Sequence, residues 1–202
     1  MRVKTDARRE AILAAATELF RDVGYERASM ALLSTRFGGS KATLYNYFRS
    51  KEELFACVMM EAVEEQGVAV IAMLDPSDKD VRAVLHRFGF AYLKLVTAPE
   101  TLALTRTGIA EGANSELGAR LYEGGPQRAW DEIARFIERL QERGAIGPGD
   151  PLVIAGHLKG LLETGCVEPL LWGAKAQQDF SAAVEGGVDV FLRAYGVDGA
   201  VS

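Results

Sequence analysis

Three helix-start signals crowd between Ser29 and Glu53, and they constrain the fold more than any other feature of the chain. Ser29, Ser40 and Ser50 each precede a run with helical spacing, and a serine hydroxyl there accepts a bond from an unpaired N–H of the first turn. Gly38-Gly39 breaks the first run from the second, and Glu53, three residues after Ser50, completes a capping box for the third. The first run carries Met30, Leu33 and Phe37 on one face. The second, Lys41 to about Tyr47, carries Leu44, with Phe48 four residues on. Upstream, about Thr5 to Val23 reads as a helix whose apolar stripe is Ile12, Ala16, Leu19, Phe20 and Val23, ended by Gly24-Tyr25. Two short helices joined by a tight turn and packed on an earlier helix form a helix-turn-helix. Burying Leu44 and Phe48 leaves Lys41, Ala42, Thr43, Tyr45 and Asn46 on exposed faces.

The remainder also reads as helix, with no alternating strand pattern and no hairpin signature. The capping box opens a long helix, Lys51 to about Leu74, with Leu54, Cys57, Val58, Met60 or Glu61, Ala62 and Val68 near its buried side. Asp75-Pro76-Ser77-Asp78 is a turn. Further helices are expected over about Lys79 to Thr97, Ser115 to Tyr122, Gln127 to Arg143, Asp150-Pro151 to Trp172, and Lys175 to Tyr195. Gly124-Gly125-Pro126 is expected to break the chain. The predicted fold class is therefore all-α: an N-terminal three-helix domain with a helix-turn-helix over residues 1–50, then a larger helical bundle over 51–202.

Net charge is −5 across the 202 residues, which argues against nucleic acid until the chain is divided. Residues 1–51 hold ten Lys/Arg and five Asp/Glu, a balance of +5, and the rest carries −10. The basic end can face phosphates while the acidic bulk stays away. Cys57 and Cys166 lie far apart in apolar stretches and read as buried free thiols. No signal-like stretch opens the sequence and no run approaches the ~18 apolar residues of a membrane span. The reading is cytoplasmic, with no membrane partner.

From Arg9 to Met60 the sequence resembles the TetR family of transcriptional regulators. The marks are Ile12, Leu19-Phe20, Gly24-Tyr25 and Ser29-Met30. Above all there is Ser40-Lys41-Ala42-Thr43-Leu44-Tyr45-Asn46-Tyr47-Phe48-Arg49-Ser50-Lys51-Glu52-Glu53-Leu54-Phe55. Gly39 departs from the family's pattern, standing where an apolar turn residue is common, and so does Phe37, which replaces a small residue; Phe37 is expected to fill the space Gly39 leaves. The resemblance implies double-stranded DNA as partner, phosphate contacts from Tyr47 and Lys51, and Ser29 near phosphate. Lys51 would gain from the helix N-terminus it occupies. Ser40, Lys41, Ala42, Thr43, Tyr45 and Asn46 belong to the reading helix, with Lys41, Thr43 and Tyr45 the candidates for base-edge or groove-wall contact.

The resemblance also implies a homodimer through about 151–195, presenting two reading helices to a palindromic operator. It implies a small apolar or amphipathic effector held by the bundle. Phe88, Tyr92, Thr107, Glu111, Trp130 and His157 are the candidate lining residues, drawn from middle helices that also hold Phe90, Thr105, Asn114 and Phe136. Activator remains open beside repressor. Against an enzyme, there is no glycine-rich phosphate loop, nucleophile elbow or metal-spaced His/Cys/carboxylate cluster; no catalytic residue, cofactor or metal is expected. A helical ligand-binding module without DNA binding is the other alternative, and the Tyr45, Tyr47 and Lys51 set argues against it.

Overall fold

The computed structural model describes residues 2–113 and 116–197. Asn114 lies outside the described residues, as do the side chains of Glu61 and Ala62. Among the described residues eleven α-helices follow one another. The first, α1 (Arg2–Arg27), loses helical geometry at Gly24, whose φ of 76° only glycine adopts without strain. The two short helices are α2 (Met30–Phe37) and α3 (Lys41–Tyr45), and the long helix after the capping box is α4 (Lys51–Ile71). Then come α5 (Val81–Val96), α6 (Pro99–Glu111), α7 (Leu117–Tyr122), α8 (Arg128–Glu142), α9 (Pro151–Glu163), α10 (Val167–Leu171) and α11 (Phe180–Tyr195). Among the described residues the only bridge pairing outside helices joins Ile146 to Gly196, and no helix is long and apolar enough to cross a membrane.

The start signals act as the sequence predicts. The hydroxyls of Ser29, Ser40 and Ser50 accept the backbone N–H groups of Leu32, Thr43 and Glu53 at 3.2, 3.0 and 3.1 Å. Glu53 reaches back one residue past the cap, to the N–H of Arg49 at 2.7 Å. Asp150 and Asp179 cap α9 and α11 in the same way.

Four expectations fail for identifiable reasons. Gly124-Gly125-Pro126 does not break the chain: Glu123–Gln127 forms one π-helical turn, so α7 and α8 run on through it. A π turn bonds i to i+5 and is wide enough to admit the proline ring. The helix expected from Asp150-Pro151 to Trp172 is divided between α9 and α10, because Gly165 takes φ 69°. The last helix starts at Phe180 rather than Lys175, since Asp179 supplies the cap. Val68, expected to be buried, is 66% exposed.

Among the described residues there are two large hydrophobic cores and a small third cluster of Ala56, Leu117 and Leu121. The smaller of the two cores gathers Ile12, Ala16, Leu19 and Phe20 of α1, Met30 and Leu33 of α2, Leu44 and Phe48, and Leu54, Phe55 and Val58 of α4. The larger joins α5, α8, α9 and α11 around Phe88, Ile133, Ile137, Leu158, Val184 and Phe191. The first half of α4 thus belongs to one core, while Val70 near its end belongs to the other. Between them α6 and α7 meet so closely that a Cβ on Gly118 would stand 2.4 Å from the carbonyl oxygen of Gly108.

Candidate nucleic-acid interface and the aromatic cluster of the bundle

Leu44 of α3 and Phe48 just after it are the anchors of this short helix, 0% and 1% exposed. With them inward, Lys41, Ala42, Tyr45 and Asn46 face solvent, and Thr43 and Tyr47 are half-buried. Tyr45 is 51% exposed, so a large aromatic side chain stands in water. Ser40 is engaged twice, by the N–H of Thr43 and by the hydroxyl of Thr43 at 2.9 Å, which fixes the first turn of α3. Phe37 lies over Gly39, its Cδ1 and Cε1 2.7 Å from where a Cβ would be, so the ring does fill the space that the glycine leaves.

Ser29 and Lys51, 22 positions apart, line one small recess with Leu19, Phe20, Ala28, Met30, Leu33 and Leu54. The Lys51 ammonium donates to the carbonyl of Tyr25 at 3.2 Å and lies 4.0 Å from that ring's centroid. An ammonium has three donors, so two remain for an anion. Tyr25 in turn donates its hydroxyl to Glu52 at 3.0 Å and packs on Phe55 with centroids 4.5 Å apart. Burial pushes the Glu52 carboxyl up, but its bonds from backbone N–H and Tyr25 outweigh that and hold it below its ordinary value.

Sequence reasoning did not single out the cations of α1. Arg8 lies 5.6 Å from the Phe37 ring centroid and Arg9 5.4 Å from that of Phe48, so both add positive charge beside the reading unit. Nor did it find Arg120 of α7, whose guanidinium donates to Glu53 at 3.0 Å and so ties the bundle to the capping box. Cys57 is half-buried nearby, its thiol pushed up by burial; Cys166 is buried, and both are free.

In the bundle, three of the six candidate lining residues come together. Phe88 and Tyr92 stack with centroids 5.6 Å apart, and Trp130 meets Tyr92 edge-on at 5.8 Å. Thr107 turns back instead to the Ala103 carbonyl at 2.9 Å. Glu111 is half-buried on the last turn of α6. His157 is neither core nor cluster: it is exposed on the outer face of α9, where its Nδ1 meets the Tyr195 hydroxyl. The spacing that put it on an apolar helix could not say which side of that helix faces the core.

The cluster has two members that the sequence did not suggest. Glu163 accepts the Tyr92 hydroxyl on one oxygen and the Lys159 ammonium, at 2.6 Å, on the other. Burial, then the Glu163 charge, pushes the Tyr92 phenol well above its ordinary value, so it remains a neutral donor. The outer faces of α9 and α11 are apolar yet open. Leu152, Val153 and Val190 are exposed, and Gly156, His157, Gly160, Leu161, Ala194 and Tyr195 line a shallow hollow of about 380 Å³. Trp172, just after α10, is 83% exposed.

Residues 12–58 match the family model described as bacterial regulatory proteins, tetR family, and residues 83–197 match that of the AefR-like transcriptional repressor C-terminal domain. The HTH-type transcriptional regulator YhgD of Bacillus subtilis is 30% identical over 152 residues, 73% of this chain and 76% of that protein. A TetR-family transcriptional regulator of Mesorhizobium loti superimposes with a TM-score of 0.77 at 27% identity, over 95% of this chain and 98% of the other. The flavonoid-responsive regulator FrrA does so with a TM-score of 0.68 at 25% identity, over 96% and 99%.

Proposed function

The chain belongs to the TetR family of bacterial regulatory proteins, as a ligand-responsive DNA-binding regulator of transcription, and from that premise we propose that it is a cytoplasmic repressor released from a palindromic operator by a small molecule. Residues 1–50 are the DNA-reading unit in this proposal, and 51–202 the effector and dimer unit, with α4 shared between them. The observation that carries it is the reading helix: Lys41, Ala42, Tyr45 and Asn46 project outward over the buried Leu44 and Phe48. A helix so anchored can lay its N-terminal residues into a major groove. Ser29, Tyr47 and Lys51 bind phosphate and set register, and Lys41, Thr43 and Tyr45 carry the sequence information.

The dimer forms through the outer faces of α9 and α11, whose exposed Leu152, Val153 and Val190 favour burial against a second copy. A two-fold pair presents two reading helices one helical turn of DNA apart, about 34 Å. The effector binds one arrangement of the bundle better than the other, and so changes the separation of the two heads.

The test is selection of bound DNA from a random pool by the purified protein at moderate salt. A palindromic site is the expected result, and no enrichment at any low salt would overturn the reading. With that site in hand, Lys51→Ala should weaken binding to every sequence and reduce the salt slope by about 0.9, one phosphate's worth. Lys41→Ala or Thr43→Ala should change which operator is preferred. Val153→Glu with Val190→Glu should yield monomers by light scattering.

A further inference from the structure

At the junction of α5, α8 and α9, one member of the aromatic cluster is tethered but not packed. Tyr92 is 8% exposed, held by Phe88 and Trp130 and bonded to Glu163. The Glu163 side chain is 19% exposed, and the Tyr92 hydroxyl fixes it. Lys159 differs. Its side chain is 40% exposed, and its ammonium reaches in on a four-carbon stem to lie 2.6 Å from Glu163 and 5.6 Å from the Trp130 centroid. It can swing into water without unmaking any core contact.

What it would leave behind has a definite chemistry. The fixed groups are a shielded carboxylate and the face of an indole, with a phenol edge beside them. The carboxylate carries a negative charge, and the indole face carries the negative lobe of the ring's quadrupole. A neutral guest would leave Glu163 with the Tyr92 hydroxyl but no counter-charge, on a side chain only 19% exposed, which is costly. An anion would add repulsion to that. Only a cation replaces what Lys159 supplies, and an organic one adds apolar contact with Trp130.

We propose that Tyr92, Trp130 and Glu163 form a binding site for the head group of an organic ammonium compound, and that Lys159 is its built-in occupant, displaced when the compound binds. The proposal rests on the reading of the chain as an effector-responsive regulator and names the effector's class. The carboxylate pairs with the guest's charge, Trp130 takes its face, and the guest's apolar body follows the outward path of the lysine stem. Lys159 thereby sets the threshold: a guest must outcompete an ammonium that is always present.

Benzyltrimethylammonium is the probe and phenylacetate its anionic counterpart of similar size. Both are titrated into the full chain carrying Trp172→Phe, which leaves Trp130 as the only tryptophan, with its fluorescence as the readout. The cation should quench saturably. Lys159→Met should tighten it on the order of tenfold. Glu163→Gln should abolish it, and because the amide oxygen still accepts the Tyr92 hydroxyl, that variant removes charge rather than packing. Phenylacetate should leave the signal unchanged.

Equal affinity in all three proteins would overturn the proposal, as would binding of phenylacetate alone, or silence of the cation with Lys159→Met. Operator binding is measured on the same samples. Intact operator binding without a cation response sinks this inference and spares the regulator, whereas a cation response in a protein that binds no DNA sinks the regulator.

Discussion

The reading head and the bundle are built from the same element, yet they assign it opposite duties. In the head, short capped helices close over a small core and turn their polar side chains outward; Lys41 and Tyr45 face solvent three residues before and one residue after the buried Leu44. In the bundle, long helices enclose a larger core, and the groups with chemistry to offer converge inward from separate elements. Tyr92 and Glu163 meet across 71 positions of sequence. On the proposed reading, the residues that carry sequence information, Lys41, Thr43 and Tyr45, lie within one short helix, with the phosphate contacts Ser29, Tyr47 and Lys51 close by in sequence. A receptor for a small molecule needs walls on several sides, and its residues must come from distant stretches.

This contrast can be broken by experiment. The largest expected effect is that of Phe48→Ala. Truncating a fully buried phenylalanine costs about 3–5 kcal/mol, comparable to what so small a core can supply. DNA binding should vanish while the bundle's helical signal melts at an unchanged temperature. A single transition in which both are lost would show that the two cores are one cooperative unit. Gly89→Ala addresses the bundle. Its new methyl would stand 3.0 Å from Val184 and 3.1 Å from Leu162, both fully buried, so overpacking of about 1–3 kcal/mol should exceed the helix-propensity gain of at most ~1 kcal/mol. Thermal melting should fall for the bundle, with operator selectivity preserved.

Ser50→Ala removes the cap at the seam, worth about 1 kcal/mol. Hydrogen exchange should quicken in the first turn of α4, near Lys51, and not in α9. The smallest effect is alkaline. Below the ordinary phenol value Tyr92 is protonated whether folded or not, so pH has no leverage through it. Above that value the unfolded chain ionises first, and stability should drain as pH rises. Tyr92→Phe should flatten that decline in a pH series of melts.

The head was legible because its signals are local. Ser29, Ser40 and Ser50 mark their helices, and the spacing of Leu44 and Phe48 decides which residues face out. The fit of Phe37 over Gly39 was expected because both depart from the family's pattern two positions apart. In the bundle, periodicity identified helices but not their partners. It placed His157 on an apolar helix without revealing that this stripe faces outward, and it let the α9 helix run on through Gly165. Lys159 and Glu163 escaped notice because a charged pair four residues apart reads as an ordinary solvated face. Only the approach of Tyr92 and Trp130 from other helices gives the pair a context. Arg120 went unseen for the same reason, since its partner Glu53 lies 67 positions away.

The π turn between α7 and α8 sets an angle. A conventional helix advances about 100° per residue, so the residue accommodated between Glu123 and Gln127 acts as a dial on an otherwise continuous rod. Shortening the segment by one residue would rotate α7 by roughly that amount against α8, swinging Arg120 away from Glu53 while leaving every side chain of the rod chemically intact. The bearing of α7 on α8 is thus kept in a count of residues, and a deletion there would be felt as a torsion that parts Arg120 from Glu53.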